Sequence, residues 1–337
     1  MLYVTTRNNR DAFTANRAIT ENRCPDGGHY LPFRHPKFSP EEIDNLLQKS
    51  FGEVVAEVLN RLFSVKLNGW DVDFSIGRHP VRLEPLHHRI LLAEGWHVPG
   101  NRFDQIQQFL SQRICPEMAE PSGWVKIAIR SAILFGVFAD LRRIGIKQAD
   151  FSCISGDFIM PISAWYARCW GLPIRNIICC CNENNSLWEL LCHGQMRTDL
   201  VSTPTLIPDA DVTVPVHLER LIYECGGMEE NQRYLDACRK GRRYIPSDAV
   251  LAKMRQGMHV SVVSSHRLRS SIPSIYKSYG QLLSCKSALA YAGLQDFQSI
   301  NGTAGNAIVW SEESPVTESD SLAQILSVPA STIGELV

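Results

Sequence analysis

Apolar residues in this chain fall into two periods, and the clearest alternation between them runs from residue 150 to residue 188. Phe151–Ile154 and Ile174–Cys181 are mostly apolar runs of strand length, and Ile159–Trp170 between them carries apolar residues at helical spacing. Ser155-Gly156-Asp157 joins the first strand to the helix: glycine accepts positive φ, and Asp157 can cap the exposed N–H groups of a helix start. Pro161 is tolerable because it falls in the first turn. Gly171 ends the helix, and Leu172-Pro173 leads the chain away. Asn182-Glu183-Asn184-Asn185 then sits at the C-terminal end of the second strand. A strand–loop–helix–strand unit of this size predicts a parallel sheet, and ligands of such sheets bind beyond the C-terminal strand ends.

The same reading extends to both sides. Leu2–Thr6 is a strand, residues 11–22 are helical, and Pro25-Asp26-Gly27-Gly28 is a turn. Ser39-Pro40-Glu41-Glu42 opens a helix, with serine at the cap, proline at the first position and glutamate three after the serine. Ser50–Phe63 is a second helix. Val72–Ile76 and Arg89–Glu94 read as strands, residues 106–114 and 124–134 as helices. Val214–Cys225 is helical, and the polar stretch Glu229–Gln256 continues so. Val260–Ser264 is a strand, Leu283–Phe297 a helix, Asn306–Trp310 the last strand and Leu322–Leu326 a closing helix. The pattern predicts an α/β protein with a mostly parallel sheet flanked by helices, preceded by a small N-terminal domain over residues 1–90, with the α/β domain over 91–337.

Composition narrows the functional classes. With 337 residues the chain buries a large core, and its net charge of −1 lacks the basic excess of a nucleic-acid binder. Arg239-Lys240-Gly241-Arg242-Arg243, the basic cluster, reads as a solvated turn. No segment approaches the roughly 18 consecutive apolar residues of a membrane span, and no apolar leader opens the chain. Eleven cysteines without a C-x-x-C pair read as reduced thiols of a cytoplasmic protein. Strand alternation points Cys179 and Cys181 to one face and Cys180 to the other. His87 and His88, adjacent in a strand, are expected to face opposite ways, and no histidine spacing predicts a metal site.

Several of these stretches resemble the threonine synthase family. Tyr3–Asn8 and Cys24–Pro32 are similar to its opening. Gly156-Asp157-Phe158, Tyr166-Ala167, Gly171-Leu172-Pro173-Ile174 and Asn182-Glu183-Asn184 match the glycine-rich segment that follows the pattern P-T-G-[ND]-F-G and ends in A-T-N-E-N-D. Ser122, Trp124 and Lys126 resemble a helix in which arginine is usual at the Lys126 position. Leu218-Glu219-Arg220-Leu221 and Ala288–Leu294 match later motifs, with His217 where asparagine is usual. The resemblance implies a fold-type II pyridoxal-phosphate architecture, with a Schiff-base lysine and a loop for the cofactor phosphate.

The departures fall on the chemistry. Trp96, His97, Pro99 and Phe103 fit the frame of E-L-F-H-G-P-T-x-A-F-K-D, and this register puts Asp104 at the lysine position. An aspartate forms no imine, because it has no amine. Ile159 replaces the second glycine of the phosphate loop, and Glu312 takes the place of the threonine that bonds the pyridine nitrogen. Between Gln105 and Ser122 the chain also lacks the long stretch that carries the family's substrate-carboxylate loop, which implies a reduced or missing lobe.

Surviving scaffold with altered chemistry points to a folded protein released from pyridoxal-phosphate catalysis. The first reading is a cofactor-free protein that acts on or binds an amino-acid-like small molecule in the remodelled cleft. It takes His97, Asp104 and Lys126 as catalytic candidates, and Gly156, Asp157, Phe158, Asn182 and Glu312 as the altered cofactor positions. A second reading is a non-catalytic partner of a biosynthetic enzyme. Loss of a lobe is expected to bare one face of the sheet, which a homodimer or partner would cover. A third is an active threonine synthase, with Lys126 as the amine.

Overall fold

The computed structural model describes residues 1–98, 100–118, 120–302 and 305–337; Pro99, part of the family frame, lies outside the described residues. The chain begins with a three-stranded antiparallel sheet in the order β2-β1-β3, built from β1 (Leu2–Thr5), β2 (Phe13–Thr14) and β3 (Tyr30–Pro32), with α1 (Ala15–Thr20) after β2. Three helices follow: α2 (Pro40–Leu46), α3 (Phe51–Phe63) and α4 (Gly69–Ile76). Each starts in a capping box, Ser39 with Glu42, Ser50 with Glu53 and Asn68 with Asp71, so local sequence sets all three starts. The Tyr3 hydroxyl donates to the Leu62 carbonyl at 2.6 Å and ties the small sheet to α3.

The α4 segment corrects the expected strand over 72–76. In Val72-Asp73-Phe74-Ser75-Ile76 the apolar residues alternate, but Val72 and Ile76 also lie one helical turn apart. The structure buries those two and leaves Phe74 68% exposed. In so short a run the period is ambiguous, and the Asn68 cap decides it.

The main sheet has six strands in the order β10-β7-β6-β11-β5-β4. Its members are β4 (Arg82–His87), β5 (Ile90–Glu94), β6 (Ala149–Ile154), β7 (Ile174–Cys181), β10 (Met258–Val262) and β11 (Asn306–Ser311); the two-stranded β8 (Met196–Arg197) and β9 (Arg243–Tyr244) stand apart. All pairs in the main sheet are parallel except the β4–β5 hairpin. Since β4 joins this sheet, the sheet begins ahead of the expected domain boundary at residue 90. His88 turns the hairpin with φ +44°, which brings the His87 and His88 rings to 4.0 Å between centroids instead of setting them on opposite faces.

Helices cover both faces of the sheet. On one side α5 (Phe103–Ile114), α6 (Gly123–Arg143) and α7 (Ile159–Cys169) enclose Phe151, Ile177, Cys179, Cys181, Ile308 and Trp310. On the other, α11 (Ser265–Tyr279) and α12 (Cys285–Asn301) enclose Leu92, Ile178, Cys180 and Val309. The cysteine alternation is thus as expected, and burial pushes the Cys180 and Cys181 thiols up to about 12. The expected bare sheet face is absent among the described residues, because α12 lies flat on β6, β7 and β11. The approach is close at Gly293, where a Cβ would stand 2.3 Å from Cys180 Sγ. Helix α6 is buried almost all round, between α3 and α7, which explains why its sequence is apolar on every side. The remaining α-helices among the described residues are α8 (Ser186–His193), α9 (Leu218–Arg239, broken at Gly227 with φ 72°), α10 (Asp248–Arg255), α13 (Ser319–Leu326) and α14 (Ile333–Leu336).

Candidate small-molecule cleft

A cleft of about 450 Å³ opens beyond the C-terminal ends of β6 and β11, and a second cavity of about 390 Å³ adjoins it. The two share Asp104, Arg130, Asp157 and Ile159 as walls. This is where a parallel sheet presents strand-end loops to a ligand.

The β6–α7 turn forms the floor. Gly156 has φ +42° and passes so close to the next segment that a Cβ would lie 2.9 Å from the Asp209 carbonyl. Asp157 Oδ1 accepts from the Ile159 N–H at 2.9 Å, the capping role its sequence position predicts. Burial raises the pKa of the Asp157 carboxyl, with Glu312 adding to the effect and Arg130 and Lys126 opposing it. Phe158 is fully buried with φ 72°, so it shapes the turn and does not face the cleft.

The walls come from distant parts of the chain. The Phe103 N–H donates to the Glu312 carbonyl at 2.8 Å, and this bond joins the start of α5 to the end of β11. It brings Asp104 to the cleft beside Glu312 and Glu313. Arg102 pairs with Glu313 at 2.9 Å and with Asp104 at 3.3 Å. Lys286, at the start of α12, is held by Asp209 and by Glu313, the latter at 2.9 Å. Burial disfavours the Lys286 ammonium, but the two carboxylates more than offset this and raise its pKa. Arg130, on α6, is 5% exposed; its guanidinium stacks over Phe103 at 4.9 Å, and its Nη1 lies 3.0 Å from Glu312 Oε1.

Asp104, Gly156, Asp157 and Glu312 therefore meet at the larger cavity, and Lys126 lines the adjoining one. Besides Phe158, two candidates line neither cavity. His97 turns to Glu94, with Nε2 to Oε2 at 3.0 Å, and stacks on Trp96. Asn182 donates to Thr205 Oγ1 and Asp211 Oδ1 at 2.9 and 2.7 Å, and so fastens the loop that carries Asp209. Arg130, Lys286, Asp209 and Glu313 were not singled out in the sequence. The one local signal is that Arg130 follows Lys126 by four residues and shares its helix face. Among the described residues no group of three or more histidine, cysteine or acidic side chains is placed to hold a metal ion.

Residues 2–73 match the family model for the threonine synthase N terminus. The threonine synthase of Pseudomonas aeruginosa is 26% identical over 145 residues, which cover 42% of this chain and 31% of that protein. That of Eremothecium gossypii is 26% identical over 143 residues, covering 39% and 28%. The chain thus spans about a third of the length of the curated relatives it matches. The chain is thus similar to threonine synthases. Solved structures agree in fold: the yeast threonine synthase superposes with a TM-score of 0.85 at 15% identity, covering 100% of this chain and 94% of that one. The Brucella melitensis threonine synthase with bound pyridoxal phosphate gives 0.82 at 17% identity, with the same coverage.

The larger cavity offers pyridoxal phosphate no free amine among the described residues, and its carboxyl groups outnumber its cations. Imine formation needs a free amine, and Lys286, the lysine on the larger cavity, is an ammonium held by two carboxylates. The Ile159 N–H at the start of α7 is already bonded to the Asp157 carboxylate and is closed to a phosphate oxygen. Three cationic side chains, Arg102, Arg130 and Lys286, face five carboxyl groups, Asp104, Asp157, Asp209, Glu312 and Glu313, and this balance repels a phosphate dianion.

Proposed function

We propose that this threonine synthase-like protein binds an amino-acid-like small molecule in the β6–β11 cleft without forming a Schiff base. The observation that supports this reading is the Asp104 carboxylate on the cleft wall; the register of the resemblance puts this residue where the family has its reactive lysine. Cations and carboxylates stand together around one cavity, and a zwitterion offers both a carboxylate and an ammonium to such a site. The same groups make the cleft a place for general acid–base work, with the raised Asp157 carboxyl as the proton carrier.

A second reading, a pyridoxal-phosphate-dependent threonine synthase, is favoured by Lys126, which lines the adjoining cavity on α6. One experiment separates the two. The purified protein is incubated with pyridoxal phosphate, scanned for an imine absorbance band and reduced with borohydride. The cofactor-free reading expects no band and no modified lysine, together with calorimetric binding of free amino acids. An adduct trapped on Lys126 would overturn it and select the second reading. A cytoplasmic location is part of the proposal and rests on the unpaired state of all eleven cysteines; no helix among the described residues is long and apolar enough to cross a membrane.

A further inference from the structure

Arg130 poses a problem of satisfaction. It lies on a helix that is buried almost all round, and its own side chain is almost wholly buried. Yet its Nε and Nη1 have no hydrogen-bond acceptor. The near oxygen, Glu312 Oε1, is 3.0 Å from Nη1 but off the N–H direction, and it already accepts the Trp310 indole N–H at 2.9 Å. Glu312 therefore balances the charge of Arg130 without using its donors. The guanidinium is fixed by stacking on Phe103 and lines both cavities. Buried unsatisfied donors on a rigid planar cation at a cavity wall mark a place for an acceptor that arrives from outside.

The rest of the wall says what else that ligand carries. Once one carboxylate has joined Arg130, the five carboxyl groups of the larger cavity still outnumber its three cations. Asp104 and Asp209 are the most open, with side chains 56% and 61% exposed. A ligand with one carboxylate and one ammonium leaves this imbalance in place, and a phosphate worsens it. A ligand with one carboxylate and two ammonium groups reduces it.

We propose that Arg130 is the carboxylate anchor of the cleft and that the ligand is a diamino carboxylic acid, whose ammonium groups face Asp104 and Asp209. This inference rests on the reading of the cleft as a site for amino-acid-like molecules and specifies its class.

The test is calorimetric titration of the full chain with L-lysine, L-ornithine, L-norleucine, cadaverine and inorganic phosphate. L-Lysine or L-ornithine is expected to bind, and norleucine, which lacks the second ammonium, to bind about tenfold more weakly. Arg130→Gln is expected to weaken the diamino acid by about tenfold to a hundredfold and to leave cadaverine, which has no carboxylate, unchanged. If that buried substitution unfolds the chain, Asp104→Asn on the open wall carries the test: it is expected to weaken lysine more than norleucine. Norleucine binding as tightly as lysine, equal loss of cadaverine in Arg130→Gln, or phosphate binding in place of lysine would each overturn this inference alone. Absence of binding by every amino acid would overturn it together with the proposed function.

Discussion

Two buried histidines make the fold sensitive to acid. His29 and His217 face each other with ring centroids 5.4 Å apart, where the N-terminal segment meets α9. Neither nitrogen of His29 has a hydrogen-bond partner. His217 Nδ1 lies 2.5 Å from Arg220 Nη1, so it accepts and its ring is neutral. Burial pushes both pKa values far down, and Arg220 adds to the effect on each. The nearby carboxylates, Glu219 at 3.9 Å from His29 and Asp157 at 3.7 Å from His217, are too distant to offset this. In the unfolded chain both histidines take up a proton near pH ~6.5, while the folded chain keeps both neutral. A depressed histidine contributes stability that is present above the unfolded pKa and is lost as pH falls below it. Two such groups give a limiting slope of about 2.7 kcal/mol per pH unit, and integration from pH ~7 to ~5.5 gives a loss of about 2.5 kcal/mol. Against a typical total of roughly 5–15 kcal/mol this is a large fraction. Asp157 works the other way, since its raised pKa adds stability as pH falls. Urea unfolding across this range measures the slope. His29→Leu and His217→Asn are each expected to remove about half of it. A flat profile in the parent protein, or an undiminished slope in both variants, would refute the argument.

Other expectations concern the scaffold that carries the cleft. Gly293→Ala inserts a Cβ 2.3 Å from Cys180 Sγ, so overpacking is expected to cost about 1–3 kcal/mol in thermal or chemical unfolding. Adding Cys180→Ala is expected to restore part of that stability, because the sulfur goes but its Cβ still stands 3.1 Å away; strict additivity of the two changes would place α12 elsewhere. Asn182→Ala removes the bonds to Thr205 and Asp211, and cleavage in the 203–213 loop under limited proteolysis is expected to speed up while the core stays protected.

The parts of this fold that could be read early are those set by near neighbours. The serine caps of α2 and α3, the Gly156-Asp157 turn and the bounds of β7 each follow from a few adjacent residues. Other positions were settled by what surrounds them in space. The 72–76 run was too short for its period to decide helix from strand. Asn182 carries a family motif, yet its side chain is spent on fastening a loop. His97 was placed by register alone, and a carboxylate three residues earlier claims it.

Sequence by itself determined the α/β class and the similarity to threonine synthases, since periodicity and short motifs are read from neighbouring residues without coordinates. Only the tertiary structure decided which charges meet. Arg130, Asp209, Lys286 and Glu312 come from separate elements, and the cleft exists because α6, α12 and the end of β11 converge on the β6–α7 turn. Local propensity acts over one or two turns of chain, whereas burial and ion pairing act through space. The orphaned donors of Arg130 could therefore be found only once its neighbours were in place.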